Sequence, residues 1–142
     1  MTFQELFQVI EERKRTLPEG SSTTTLLTRG LDSILPKLNE ESFETALALE
    51  CQGPDEVALE VSQCFYYLLC LAVFLGEKFD GLELDTQLNE EVDRHELAKR
   101  IARSSADLCH TPCLSSINAM PPLLLKALEL GNTNLKQMFS HL

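Results

Sequence analysis

Residues 37–76 read KLNEESFETALALECQGPDEVALEVSQCFYYLLCLAVFLG, and this stretch decides the fold. Apolar residues recur at helical spacing on both sides of residues 52–55 (QGPD), a sequence typical of a tight turn. Two helices joined by that turn are therefore predicted. The first covers about residues 26–50, with a kink or break at Pro36, and the second covers about residues 55–78.

The C-terminal half of the second of these helices is apolar on every side. Its run 64–75 (CFYYLLCLAVFL) has 12 residues, fewer than the roughly 20 that a membrane span needs, so it indicates a buried helix. Two kinds of neighbour are open to it. Either helices of a second copy complete the core, as in a homodimer or higher homo-oligomer, or C-terminal helices of the same chain cover it. We expect self-association.

Helical spacing also dominates outside this hairpin, and no strand-like alternation is present. The expected fold is an all-α helical bundle forming one domain, with a core at residues 1–78 and additional helices of unknown role at residues 79–142. The remaining predicted segments are a helix over 2–16 ended by residues 18–20 (PEG), a loop over 79–89, an amphipathic helix over 90–108, an irregular segment over 110–118, and a helix from Pro121 to about His141.

The charge excludes several classes of partner. The chain has 22 acidic and 12 basic residues, a net charge of −10. Such a surface disfavours nucleic acid polymers, which bind through Lys and Arg, and it disfavours anionic membranes. The first residues lack the basic and apolar regions of an export signal, and five cysteines is an odd number. We therefore expect a cytoplasmic protein with reduced thiols.

Two smaller clusters each have two interpretations. Residues 109–113 (CHTPC) are either a weak metal site or a helix end broken by Pro112, and no second cluster completes a zinc site. A basic stripe in the predicted helix 90–108 is either a phosphate site or, as we favour, a solvated face balanced by nearby acids. Its residues are Arg94, Lys99, Arg100 and Arg103.

The acids of residues 37–44 fall on one face of their helix. At 100° per residue, Glu40, Glu41 and Glu44 share with Lys37 a sector of about 100°. The next helix has a similar stripe, formed by Glu56, Glu60, Gln63 and Tyr67. If the helices pack antiparallel, the acid faces converge around a cation such as Mg²⁺; otherwise each stripe is solvated independently. The spacing leaves both interpretations open.

Three segments resemble one enzyme family. Residues 18–23 (PEGSST) look like its P-E-G-S-Y-T loop, and residues 37–44 (KLNEESFE) look like its K-x-G-E-E-x-x-E helix. Residues 60–63 (EVSQ) fall where the family has E-x-x-D, and Tyr67 stands where a histidine is usual. Over about residues 7–76, the chain resembles the phosphoribosyl-ATP pyrophosphohydrolases of histidine biosynthesis and, more broadly, the MazG-like all-α nucleoside triphosphate pyrophosphohydrolases.

The resemblance implies a role for each matching residue. It implies that Glu40, Glu44 and Glu60 are Mg²⁺ ligands. It also implies that Glu41 assists them and accepts a proton from the attacking water, and that Lys37 faces the phosphates. The implied substrate-binding residues are Arg13, Ser21, Ser22, Thr23 and Gln63.

The implied activity is Mg²⁺-dependent hydrolysis of the bond between the α- and β-phosphates of phosphoribosyl-ATP or a related (d)NTP, with release of pyrophosphate. Gln63 replaces an acid of the family pattern, and a neutral amide is a weaker Mg²⁺ ligand than a carboxylate. An alternative is therefore a catalytically weakened nucleotide-binding or helical interaction protein of the same fold.

Overall fold

The computed structural model describes residues 1–142 and is entirely helical, which confirms the all-α prediction. A 3₁₀ turn at Phe79–Gly81 lies between the N-terminal and C-terminal groups of helices. The α-helices are α1 (Phe3–Thr16), α2 (Ser22–Arg29), α3 (Leu31–Cys51), α4 (Pro54–Phe74), α5 (Arg94–His110), α6 (Leu114–Asn118), α7 (Pro121–Leu130) and α8 (Leu135–Phe139).

The hairpin of α3 and α4 forms the centre of the fold. The chain reverses at Gln52 and Gly53, and Pro54 occupies the first turn of α4, where its missing N–H costs no helical hydrogen bond. Thr45 Oγ1 lies 3.3 Å from Cys64 Sγ in the buried interface between the two helices. The predicted helix-turn-helix is thus confirmed, with α4 ending at Phe74 rather than at residue 78.

Of the kink or break predicted at Pro36, the break is wrong, because the chain breaks at Gly30 instead. Gly30 has a φ of +72°, and a Cβ there would lie 2.8 Å from Cζ of Phe74, so a side chain is excluded by both backbone and space. Helix α3 runs through Pro36. Pro36 lies in the second turn of α3, where it removes the hydrogen bond to the carbonyl of Asp32 without ending the helix.

The apolar half of α4 is covered within one chain. Leu68, Leu69 and Leu71 are fully buried. The helices that cover α4 include α7 and α8. The ring of Phe3 in α1 packs against Phe65 in a tilted arrangement and edge-on against Phe139, at centroid distances of 4.6 and 4.9 Å. The burial of α4 therefore needs no second copy, and the prediction of self-association loses this basis.

Helix α4 is long and apolar enough to cross a membrane, judged by length and composition alone. Its most apolar 18-residue window has a mean hydropathy of 1.8. Of that window, 67% is buried inside the fold, as in the core helix of a globular protein.

The C-terminal half differs in detail from the prediction. Asp93 caps α5, which starts at Arg94 rather than at residue 90 and ends at His110. The segment expected to be irregular contains α6, and the last predicted helix is divided into α7 and α8. Helix α7 ends where Asn132 has a φ of +59° and the N–H of Thr133 donates to the carbonyl of Leu128. Gly131 lets this end approach Val57 of α4, since a Cβ would be 2.7 Å from Val57 Cγ1.

Helix α5 is fastened along α3. Arg94 donates to the carbonyl of Leu49 at 3.2 Å, and Ser105 donates to Asn39 Oδ1 at 2.9 Å. The basic stripe of α5 is largely paired within the chain, since Lys99 and Arg100 both form ion pairs with Glu96. This arrangement agrees with the interpretation of that stripe as a solvated, charge-balanced face.

Candidate active site

Glu41 lies at the centre of a carboxylate cluster between α3 and α4. The pKa of its carboxyl is raised from 4.5 to about 8, first by burial and then by a hydrogen bond with Glu60 and the charge of Glu60. The negative charges of Glu40 and Glu44 shift the pKa in the same direction. The acid faces of the two helices therefore converge, as expected for antiparallel packing.

The members of this cluster differ in exposure. Glu41 and Glu60 are half-buried, whereas Glu40 and Glu44 are exposed. Lys37 is exposed too, and its Nζ lies 3.5 Å from Glu40 Oε2. The cluster therefore has an inner pair that faces across the hairpin and an outer rim that faces solvent. The ammonium group of Lys37 lies at that rim.

The cluster supplies the donor chemistry of a hard divalent cation. Carboxylate oxygens from two facing helices are the ligand type that Mg²⁺ prefers, and the repulsion around Glu41 is what a cation relieves. As the side chains stand, no three among His, Cys, Asp and Glu are grouped so that they could hold a metal ion. In the segment 109–113, Cys113 instead caps α6.

The other residues of the α4 stripe differ in their exposure and in their distance from the carboxylate cluster. Gln63 is half-buried, one turn beyond Glu60. Tyr67 is half-buried as well, and its pKa is raised by burial and then by the charges of groups that include Glu41. Tyr67 thus faces the cluster, although it was not among the predicted site residues. Glu56 is exposed and is not among the groups that shift the pKa of Glu41.

The predicted substrate-binding segment is joined to α1 and α4. Arg13 Nη1 donates to Ser21 Oγ at 3.1 Å, and the same Ser21 oxygen caps α2 by accepting from the N–H of Thr24. Ser22 is exposed and Thr23 is buried. Arg13 and the segment Ser21–Thr23 are therefore together, as the resemblance implied.

Tyr66 connects this segment to the cluster, and the sequence analysis assigned it no role. Its hydroxyl oxygen lies 2.5 Å from Thr23 Oγ1, and its ring packs edge-on against Tyr67 at a centroid distance of 5.0 Å. One tyrosine reaches the substrate-binding segment while its neighbour faces Glu41. The sequence signal for Tyr66 was that the pair Tyr66-Tyr67 stands where the family usually has Tyr-His.

The carboxylates lie beside exposed apolar side chains. Phe43 is 57% exposed and Leu47 48% exposed, both on the solvent side of α3 near Glu40 and Glu44. The main surface depressions are lined by other residues, for example a cavity of about 340 Å³ near His110 and Cys113. The arrangement offers an open acidic surface with apolar margins, which suits a polar ligand bound through metal and carrying an apolar ring.

Comparison with known proteins gives a family. Residues 3–95 match the family described as phosphoribosyl-ATP pyrophosphohydrolase. The chain is 38% identical over 102 residues to the phosphoribosyl-ATP pyrophosphatase of Lactiplantibacillus plantarum, covering 72% of this chain and 86% of the relative. It is 40% identical over 98 residues to the enzyme of that name from Haloarcula marismortui, covering 68% and 89%.

A bifunctional relative matches a shorter stretch. The histidine biosynthesis bifunctional protein HisIE of Thermus thermophilus is 40% identical over 72 residues, which are 51% of this chain and 34% of that protein. No solved structure matches the chain. The family match takes in α1 to α4 and thus the whole carboxylate cluster and the Ser21–Thr23 segment. The chain therefore belongs to the phosphoribosyl-ATP pyrophosphohydrolase family and is a pyrophosphohydrolase.

Proposed function

We propose that this protein hydrolyses the bond between the α- and β-phosphates of phosphoribosyl-ATP and releases pyrophosphate, using Mg²⁺. The observation that carries the proposal is the convergence of carboxylates on Glu41 at the α3–α4 hairpin, within the matched region. The names of the relatives support the choice of substrate. Related (d)NTPs are further candidate substrates, and we expect the reaction to take place in the cytoplasm.

The proposed metal ligands are Glu40, Glu44 and Glu60. They come from both sides of the hairpin, and two of them are exposed, so they are free to change rotamer. A Mg²⁺ ion held by these residues would supply positive charge against the phosphates and would make the attacking water more acidic. Such a charge also explains how a protein with a net charge of −10 accepts a polyanion.

The proposed roles of the other residues follow from their places. A cation among the carboxylates would displace the proton of Glu41. The ionised Glu41 would then accept a proton from the attacking water. Lys37 is at the exposed rim, where its ammonium contacts a phosphate oxygen. Gln63 offers an amide to the substrate from the same stripe of α4.

The Arg13–Ser21 pair is the proposed phosphate or ribose contact. Arg13 brings a guanidinium to the N-terminus of α2, where backbone N–H groups also favour an anion. In the first turn of this helix, Oγ1 of Thr24 is buried without a hydrogen-bond partner. In the same turn, Ser22 is exposed to solvent and Thr23 is buried. Together these groups suit the phosphoribosyl part of the substrate.

We further propose that a second copy completes the cleft for the base and sugar. The support is the exposure of Phe43 and Leu47 beside the acids, since large apolar side chains in contact with water favour burial. Sedimentation of the purified protein with and without substrate tests this, and a monomer under both conditions contradicts it.

The experiment for the activity is release of pyrophosphate from phosphoribosyl-ATP by the purified chain. We expect turnover with Mg²⁺, none with EDTA, and a loss of about 100-fold or more for Glu60→Gln. Glu77→Gln, a carboxylate outside the cluster, is the matched control. A folded wild-type protein with no turnover of phosphoribosyl-ATP or of a panel of (d)NTPs in excess Mg²⁺ overturns the proposal.

A further inference from the structure

Thr23 and Tyr66 are joined by a hydrogen bond between residues 43 positions apart in the chain. The two hydroxyl oxygens lie 2.5 Å apart, between the first turn of α2 and the C-terminal half of α4. Thr23 is buried and Tyr66 is half-buried. A hydroxyl in such a place is unfavourable without a partner, so each of these residues depends on the other.

Thr23 lies in the first turn of α2, which the chain enters from Gly20. Gly20, just before the segment, has a φ of +79°, and no atom lies within 4 Å of the position a Cβ would take. The chain therefore reaches Ser21 through an open, unpacked turn. Arg13 holds Ser21 from the side of α1, and Tyr66 supplies the hydrogen bond from the side of α4.

Tyr66 is well placed to hold Thr23 at a set distance from Glu60, because α4 has more buried residues than any other helix of the fold. Its neighbours Phe65 and Leu68 are fully buried. Gln63 lies one turn before Tyr66 on the same helix, and Glu60 lies nearly one turn before Gln63. A segment fastened to Tyr66 is therefore held at a set distance from the carboxylate that α4 contributes.

Tyr66 is not a base at neutral pH. Burial raises the pKa of its phenol to about 12, so the hydroxyl keeps its proton. The hydrogen-bond partner of this hydroxyl is Thr23, which does not belong to the carboxylate cluster. The role that this leaves for Tyr66 is to hold Thr23 in place.

We propose that Tyr66 is a positioning residue, which holds Thr23 and thereby fixes the substrate-binding segment Ser21–Thr23 relative to the carboxylates of the α3–α4 hairpin. The inference rests on the proposed function and adds to it the residue that couples substrate binding to the metal-binding helices.

The test compares Tyr66→Phe and Thr23→Val, which each remove one hydroxyl, with Thr23→Ser, which keeps it. Ser116→Ala is the matched control, because it removes another hydroxyl that links two elements, from α6 to the carbonyl of Thr111 at the end of α5, away from the site. Steady-state kinetics with phosphoribosyl-ATP and Mg²⁺ and amide hydrogen exchange over residues 20–25 are measured for each variant.

We expect Tyr66→Phe and Thr23→Val each to raise KM about fivefold while kcat changes less than about twofold, and the double variant to be no worse than either single one. Thr23→Ser keeps KM near the wild-type value, and Ser116→Ala leaves it unchanged. Faster exchange at residues 20–25 accompanies the rise in KM.

Two results overturn the inference. If exchange at residues 20–25 rises in Tyr66→Phe while KM stays at the wild-type value, the hydrogen bond is structural only. If the effects of the two single variants on KM add in the double variant, the residues do not act through each other. Failure of the proposed function is recognised separately and first, since the wild-type protein then shows no turnover.

Discussion

Glu41 of α3 faces Glu60 of α4 across the hairpin, and burial together with this neighbouring carboxylate raises the pKa of Glu41 to about 8. Glu41 would not keep a proton near neutral pH in water, because an isolated glutamate has a pKa of about 4.3. The hairpin thus keeps a protonated acid at the place where the family resemblance puts a metal.

This proton makes the stability of the metal-free protein depend on pH. Because the folded-state pKa of Glu41 lies above the unfolded value, its contribution to stability is fully present below about pH 4.5 and is lost as the pH rises towards about 8. Since Glu41 is partly exposed, we expect about 1 kcal/mol rather than the full effect of the shift.

The measurement is urea unfolding in EDTA at about pH 6 and about pH 9, for wild-type protein and Glu41→Gln. The difference between the two proteins isolates Glu41 from Cys113, whose pKa is lowered to about 7 by hydrogen bonds from Ser115 and Ser116 and which acts in the opposite direction. A difference that does not change with pH contradicts the prediction.

Binding of Mg²⁺ is expected to release a proton. A cation among the carboxylates favours their ionised forms, so Glu41 loses its proton as the metal binds near pH 7. Titration calorimetry in two buffers of different ionisation enthalpy measures the number of protons released. Glu41→Gln has no such proton to lose, and equal proton release from this variant and the wild type would contradict the assignment.

Gln63→Asp is expected to tighten Mg²⁺ binding about tenfold. An added carboxylate one turn beyond Glu60 supplies a stronger ligand than an amide, and a single nearby charge is worth about 1–2 kcal/mol in a half-buried site. Metal titration followed by thermal shift measures the affinity, with Gln63→Asn as the neutral control. An unchanged affinity would place residue 63 outside the metal site; a fall in kcat together with tighter binding would give the amide a role in the reaction.

Gly30→Ala is expected to lower the free energy of unfolding by about 2–4 kcal/mol. The new Cβ meets the ring of Phe74 and the backbone stays at a positive φ, so strain and overpacking add. Gly20→Ala is the control: it has a similar φ but no atom within 4 Å of the new Cβ, and we expect a loss of about 1 kcal/mol. Chemical denaturation of both variants checks this, and equal losses would show that Phe74 gives way.

The sequence predicted what depends on neighbouring residues along one helix. The hairpin, its turn at Gly53 and the shared face of Glu40, Glu41 and Glu44 all follow from a period of 3.6 residues. The break was misplaced because Pro36 signals a break by local chemistry, whereas Gly30 is required by Phe74, which is 44 positions away and becomes its neighbour only on folding.

Other features could not be predicted from helical spacing. The cover over α4 depends on how residues 121–142 return to it, and the bond between Thr23 and Tyr66 depends on the docking of α2. The inner place of Glu41 was also not predicted. Helical angles show that three acids share a face, but which of them turns towards Glu60 is determined by the offset of the two helices.

Helix α3 is clamped between α4 on one side and α5 on the other, with Ser105 fastened to Asn39, the residue next to Glu40. The family match stops at residue 95, barely inside α5. Helix α5 therefore helps to align the carboxylates, although nearly all of it lies outside the region by which the family is recognised. Substitutions in α5 can therefore shift the carboxylates and lower the activity. A search for impaired variants that is limited to the matched region would miss them.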